Sequence, residues 1–145
     1  MSGNPNADLG CTCYRLRMAA RRVSRLYDRH LAPCGISVAQ FGLLTAIRAN
    51  EGSSVTALAH QLEMERTTLT RNLQPLERDG YVRVDAGPDQ RTRAVRITRT
   101  GVELLSRAIP LWLEAQRELE DSAGRAELVA LNKALDRTIE ILPRD

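Results

Sequence analysis

Apolar residues recur at helical spacing over most of this 145-residue chain, and only one short region alternates instead. From about Asp8 to Leu31, the residues Leu9, Tyr14, Leu16, Val23, Leu26, Tyr27 and Leu31 form a loose helical stripe with arginines between them. Pro33 and Gly35 in "APCG" end that helix. Ser37 can cap a second helix, "VAQFGLLTAIRAN", which stops at Asn50. It is apolar nearly all round, so burial is expected. Ser54 and Val55 read as a very short extended link, and Thr56 as the cap of a third helix, "ALAHQLEM". A fourth helix, "ERTTLTRNLQPLERD", is ended by Gly80. Alternation then takes over: Val82 and Val84 share one face, Val95 and Ile97 point the same way, and the turn "GPDQR" lies between the two strands. From about Thr100 the helical period returns. Pro110 is expected to bend or divide this part. After Gly124, residues Leu128, Leu131, Leu135, Thr138 and Leu142 follow a heptad-like spacing. Amphipathic helices therefore flank a small central unit at both chain ends. Their narrow apolar stripes need cover, which a second subunit or an internal core would supply.

The fourth helix has an unusual polar face. At 100° per residue, Leu69, Leu73 and Leu76 fall together as a buried stripe. Thr67, Arg71, Gln74 and Arg78 line the opposite side, flanked by Thr68, Thr70 and Pro75. Hydroxyls, amides and guanidinium groups suit phosphate oxygens and base edges, and arginine can grip guanine at two atoms. The first turn, from Arg66 to Thr70, also offers free backbone N–H groups and a positive dipole end. A solvated helix that happens to lack lysine would look similar. The short helix before it and the basic hairpin after it favour a winged helix-turn-helix that binds DNA. Pro75 is expected to kink this helix between Arg71 and Pro75, leaving a groove-entering first half and a packed second half.

Composition agrees with a globular domain: 43% of residues are hydrophobic and 27% charged. The net charge of +3 decides little, but its distribution is uneven. Residues 1–31 hold six arginines against Asp8 and Asp28, and residues 65–99 hold eight arginines against five acids. Residues 100–145 hold six basic and nine acidic side chains, so the chain has a polyanion-facing side. No apolar run reaches the roughly 18 residues of a membrane span, and the first ten residues lack the features of a signal peptide. A cytoplasmic location is expected. The three cysteines, Cys11, Cys13 and Cys34, are an odd number with no export signal, which argues against a disulfide framework. C-x-C with no evident fourth ligand is a poor zinc site, so neither metal nor cofactor is expected. A cysteine-dependent redox enzyme using Cys11 and Cys13 is disfavoured, because C-x-C is not C-x-x-C and no thioredoxin-like pattern accompanies it. Paired catalytic carboxylates, a nucleophile elbow and a phosphate loop are also missing from the sequence, so no enzyme is expected.

With these motifs in view, the chain resembles the MarR (multiple antibiotic resistance regulator) family of transcription factors. The matching stretches are "VTALAHQLEMERTTLTRNLQPLERDGYV" and "DQRTRAVRITRTG". The second fits the family's D-x-R-x5-L-T-x-x-G pattern at Asp89, Arg91, Thr98 and Gly101, with Ile97 in place of leucine. The resemblance implies a mainly α fold with a β-hairpin wing. A winged helix-turn-helix lobe (37–100) would lie between an N-terminal helix (1–36) and C-terminal dimerisation helices (101–145). It also implies a homodimeric repressor whose recognition helices enter successive major grooves of an inverted repeat, with half-sites roughly 10 bp apart. Arg66, Thr67, Thr68, Thr70, Arg71 and Gln74 would be the recognition-helix contacts. Arg91 resembles the wing arginine, braced by Asp89, and Arg93 is the alternative wing tip. Glu65 departs from the pattern, since a shorter Asp, Ser or Thr makes a better N-cap. A small aromatic or lipophilic ligand is the expected effector. The alternative is oxidant sensing: Cys13 resembles the reactive cysteine of the organic-hydroperoxide-sensing branch, and Tyr27 its hydrogen-bonding tyrosine. Cys11 lies nearby, and Val38 stands where that branch has a second tyrosine. The arginines around Cys13 would favour the thiolate.

Overall fold

Gly10, with φ +72°, breaks the N-terminal helix soon after it starts. In the computed structural model, which describes residues 3–86 and 92–144, a single turn α1 (Pro5–Asp8) precedes α2 (Thr12–Leu31). The helix expected from about Asp8 thus begins at Thr12, with a separate turn before it. Cys11 provides the new start, its Sγ accepting a hydrogen bond from the Tyr14 amide at 3.4 Å. A 3-10 turn (Ala32–Cys34) and Gly35 then lead into α3 (Val38–Ala49). Ser37 and Gln40 form a full capping box there, and the Val38 amide also donates to Asp28 Oδ1 at 2.7 Å. A carboxylate from α2 thus sits at the positive end of α3 and ties the two helices together.

The third helix starts earlier than expected. α4 spans Val55–Gln61, and its cap is Ser54, whose Oγ accepts from the Ala57 amide at 3.0 Å; Thr56 lies inside the helix. Ser54 also bridges Ala94, so the link before α4 forms a third strand-like edge beside the hairpin. α5 (Arg66–Arg78) follows, then β1 (Val82–Val84) pairs antiparallel with β2 (Val95–Ile97), in the register Val82 with Ile97 and Val84 with Val95. The long α6 (Arg99–Ala123) and α7 (Arg125–Ile141) complete the chain.

Neither proline divides its helix. α5 runs unbroken through Pro75 and α6 through Pro110, so of the two outcomes expected at Pro110 the division does not occur. Each proline orphans the carbonyl four residues earlier, Arg71 and Ser106 respectively, and both of those residues are exposed. Water can satisfy the orphaned carbonyls, so the helix continues.

The core gathers Leu44, Ile47, Leu58, Leu69, Leu76, Val95, Leu104 and Leu105, all under 2% exposed. It joins the helix-turn-helix, the inner face of the hairpin and the first half of α6. Trp112 of α6 links this lobe to α2, stacking on Phe41 (centroids 5.9 Å apart) and lying 6.2 Å from Tyr27. Arg29 and His30 add a polar seam between α2 and α6 through Glu118, at 3.1 and 2.5 Å. The His30 hydrogen bond, with the nearby Arg29, holds the Glu118 carboxyl below its ordinary range. α7 has no buried residue: Val129 and Leu131 are about half exposed, and Ile139 is 64% exposed. No single helix among the described residues is long and apolar enough to cross a membrane.

Candidate DNA interface

The turn between α4 and α5 aims the polar face of α5. Glu63 takes φ +54°, the one positive value at a non-glycine among the described residues, and the Met64 amide then donates back to the Ala59 carbonyl at 2.9 Å. Leu62 and Met64 pack against the core, so the chain enters α5 at a fixed angle. Glu65 occupies the N-cap without a side-chain capping bond. Glu65 thus supplies no side-chain cap that would compete with a phosphate at the positive end of α5.

Leu69, Leu73 and Leu76 are buried as the wheel predicts, and they anchor the helix. Arg66, Thr67, Thr70, Arg71 and Gln74 are exposed on the other side, while Thr68 is half-buried. The Thr70 hydroxyl donates to the Arg66 carbonyl at 2.9 Å, which leaves its lone pairs facing outward. Arg71 makes no ion pair or side-chain hydrogen bond among the described residues, so its guanidinium is available to a ligand. A cleft of about 170 Å³ runs between α5 and the hairpin, and Arg66, Thr70, Gln74 and Glu77 face Arg93 and Val84 across it. The fold thus brings Arg93 to the recognition helix. Asp89 and Arg91 lie outside the described residues.

Sequence reasoning missed the brace at the base of the wing. Asp85 accepts from Arg83 Nε at 2.7 Å through Oδ1 and from Arg96 Nε at 2.9 Å through Oδ2. These hydrogen bonds, from Arg96 first and then Arg83, hold the Asp85 carboxyl below its ordinary value. A signal was present, since three charged residues alternate with valines on two short strands. A second omission was an open cavity of about 810 Å³ between α3 and α5, lined by Gln40, Gly42, Leu43, Met64, Arg71 and Pro75 among others. Its walls come from segments some thirty residues apart, which no local pattern reveals.

Cys13 and Tyr27 lie fourteen residues apart on the single helix α2, about 21 Å at 1.5 Å per residue, so they cannot bond within one chain. Tyr27 is buried instead against α6, where its hydroxyl donates to Gln116 Oε1. Burial, with Glu120 nearby, raises its pKa and keeps the phenol neutral. Cys13 is exposed, Cys11 is engaged as the α2 cap, and Cys34 is half-buried beside the core.

A helix-turn-helix with an arginine- and threonine-lined second helix, followed by a short basic hairpin, defines a winged-helix DNA-binding protein. The chain belongs to the MarR family: residues 35–92 match that family's profile, and full-length likeness extends the match. The Mycobacterium tuberculosis transcriptional regulator MosR is 38% identical, covering 91% of this chain and 97% of that one, with a TM-score of 0.75. MosR has also been solved in complex with DNA; that structure is 40% identical and covers 88% of this chain and 98% of that one, with a TM-score of 0.72. The transcriptional repressor CouR, solved with p-coumaroyl-CoA bound, is 25% identical over 97% of this chain and 100% of that one, with a TM-score of 0.85. A candidate regulatory protein for the hcr operon of Thauera aromatica is 28% identical over 140 residues, 93% of this chain and 82% of its own. The protein is a MarR-type transcriptional regulator that binds DNA.

Proposed function

We propose that the protein is a homodimeric repressor, not an enzyme, that leaves an inverted-repeat operator when a small aromatic or lipophilic ligand binds. The exposed α5 face carries this reading, with Arg71 unpaired among the described residues and Arg93 drawn up across the cleft. Arg66, Thr67, Thr68, Thr70, Arg71 and Gln74 enter the major groove, and a wing arginine, either Arg91 braced by Asp89 or Arg93, reaches the adjacent minor groove. The exposed apolar stripe of α7 supports a second copy as its cover. The cavity between α3 and α5 supports the ligand: its wall includes apolar Leu43, Met64 and Pro75, and Arg71 stands at its rim. An occupant there would bear on the same helix that reads DNA. That CouR binds an aromatic acyl thioester makes ligands of this chemistry the first to try.

The test is a fluorescence-anisotropy titration of the gene's own upstream DNA. Two chains per operator are expected, with log Kd rising against log salt at roughly 0.9 per phosphate contacted. Adding p-coumaric acid, its thioester or a related phenolic is expected to release the DNA. A monomer on the DNA, or an affinity indifferent to salt, defeats the reading of DNA binding and dimerisation. Failure of every phenolic to shift the titration defeats only the ligand assignment.

A second reading is favoured by Cys13, which is exposed and lines a shallow cavity of about 340 Å³ with Asn6, Tyr14, Arg17 and Arg21. In it, an organic hydroperoxide is reduced to its alcohol while the Cys13 thiolate becomes a sulfenic acid, and DNA is released. Cumene hydroperoxide is expected to dissociate the parent but not Cys13→Ser. Equal release from both proteins excludes the thiol as sensor.

A further inference from the structure

We infer that Asp85 is a positioning residue for DNA binding, fixing the angle of the wing to the recognition helix through Arg83 and Arg96. Arg83 and Arg96 are direct cross-strand partners, and Val82, Val84, Val95 and Ile97 occupy the other face of the hairpin. Two like charges placed opposite each other on one face destabilise a strand pair. Asp85 removes that repulsion by giving one carboxylate oxygen to each guanidinium, at 2.7 and 2.9 Å.

The same cluster fastens the hairpin to the helix-turn-helix. The Arg96 guanidinium lies over Gly52, where an added Cβ would come within 3.1 Å of Nη1 and 3.4 Å of Cζ. From Gly52 onward the chain pairs with β2: the Gly52 amide donates to the Val95 carbonyl at 3.1 Å, and Val95 donates to Ser53 at 2.9 Å. The Val55 amide then donates to the carbonyl of Arg93 at 3.0 Å. Val55 opens α4, so the backbone of Arg93 is tied to the first helix of the reading unit. Asp85 holds Arg96 over that junction and Arg83 beside it. The carboxylate lies on the outer face of the stalk, opposite the cleft where Arg66, Gln74 and Arg93 meet, so it acts through the arginines and not on DNA.

The sign of the effect separates this role from simple charge. Removing a negative charge from a DNA-binding protein ordinarily strengthens its attraction to phosphate. Asp85→Asn is expected to do the reverse, weakening operator binding about tenfold and lowering the salt slope by about one, because a wing contact is lost. Asp85→Glu, which keeps the charge, is expected to recover most of the affinity, and Asp85→Asn is expected to melt only a few degrees (roughly 2–4 °C) below the parent, well above the assay temperature. In a double variant with Arg93→Ala, the loss from Asp85→Asn is expected to shrink, since two changes to one contact do not add. Unchanged or tighter binding by Asp85→Asn overturns the inference. So does a loss of affinity that leaves the salt slope intact, or one that multiplies in full with Arg93→Ala. The inference rests on the proposed wing contact at Arg93, and the single variant tests that separately: an inert Arg93→Ala removes that contact, and the double variant then decides nothing, so the Asp85→Asn affinity and slope alone decide the role of Asp85.

Discussion

Arg71→Ala is expected to weaken operator binding by about 1–3 kcal/mol per half-site and to relax preference at one base position. The structure isolates this side chain. It projects from an exposed position on the second turn of α5, with no carboxylate holding it among the described residues. Its neighbours are less suited to base reading. Arg78 is paired with Asp79 at 3.4 Å, and Thr70 spends its hydroxyl proton on the Arg66 carbonyl. A guanidinium that is free in the unbound protein gives up few existing contacts on binding, so most of its bidentate interaction with guanine survives as affinity. The measurement is a competition titration over operators substituted one base at a time. If Arg71 reads guanine, the variant loses discrimination at that position and keeps it elsewhere. A uniform loss over all operators would assign Arg71 to a phosphate instead. Arg71 also borders the cavity between α3 and α5, so the same variant should alter the response to a phenolic ligand.

Local patterns disclosed the architecture because most of it rests on local physics. Ser37, Asn50 and Gly80 mark helix ends through capping and turn chemistry confined to a few residues, and α3 and α5 start and stop where those residues stand. The alternating valines set the hairpin register before any tertiary contact is known. The departures arise where a distant partner decides. Ser54 displaces Thr56 as a cap because its backbone also bridges Ala94, some forty residues later. Gly10 ends α1 because it adopts a left-handed conformation, yet an isolated glycine in a helical stripe reads equally well as tolerated. Pattern alone leaves Pro110 as a bend or a break, whereas α6 runs through it, with an exposed Ser106 four residues earlier. The interface shows the same division. The outward face of α5 is a helical-wheel property, but the approach of Arg93 to it, the bridging by Asp85 and the pairing of Tyr27 with Gln116 depend on how helices and strands pack.

Gly101→Ala is expected to destabilise the fold by about 3 kcal/mol, against the gain of up to about 1 kcal/mol that Gly→Ala ordinarily brings inside a helix. A Cβ at Gly101 would stand 2.2 Å from the Tyr81 carbonyl oxygen and 2.7 Å from Ile97 Cγ1, far inside contact distance. The first of these is backbone, and it cannot retreat cheaply. The Tyr81 carbonyl accepts the Thr98 amide at 3.0 Å, and the Thr98 hydroxyl donates to the Gly80 carbonyl at 2.6 Å while capping the Gly101 amide at 3.1 Å. Moving α6 away would therefore break the cap of that helix, typically worth about 1 kcal/mol, and also the seam between α5, β1 and α6. This gives a physical reason for the threonine and glycine of the wing motif: the start of α6 must touch the backbone that leaves the recognition helix. Thermal melts at one fixed protein concentration should show Gly101→Ala lower by roughly 10 °C. Gly42→Ala is the matched control, because nothing lies within 4 Å of a Cβ added on that face of α3, and it should melt at or slightly above the parent. A Gly101→Ala protein as stable as Gly42→Ala would mean that α6 can separate from Tyr81 without cost, and that the motif glycine is not kept by this contact.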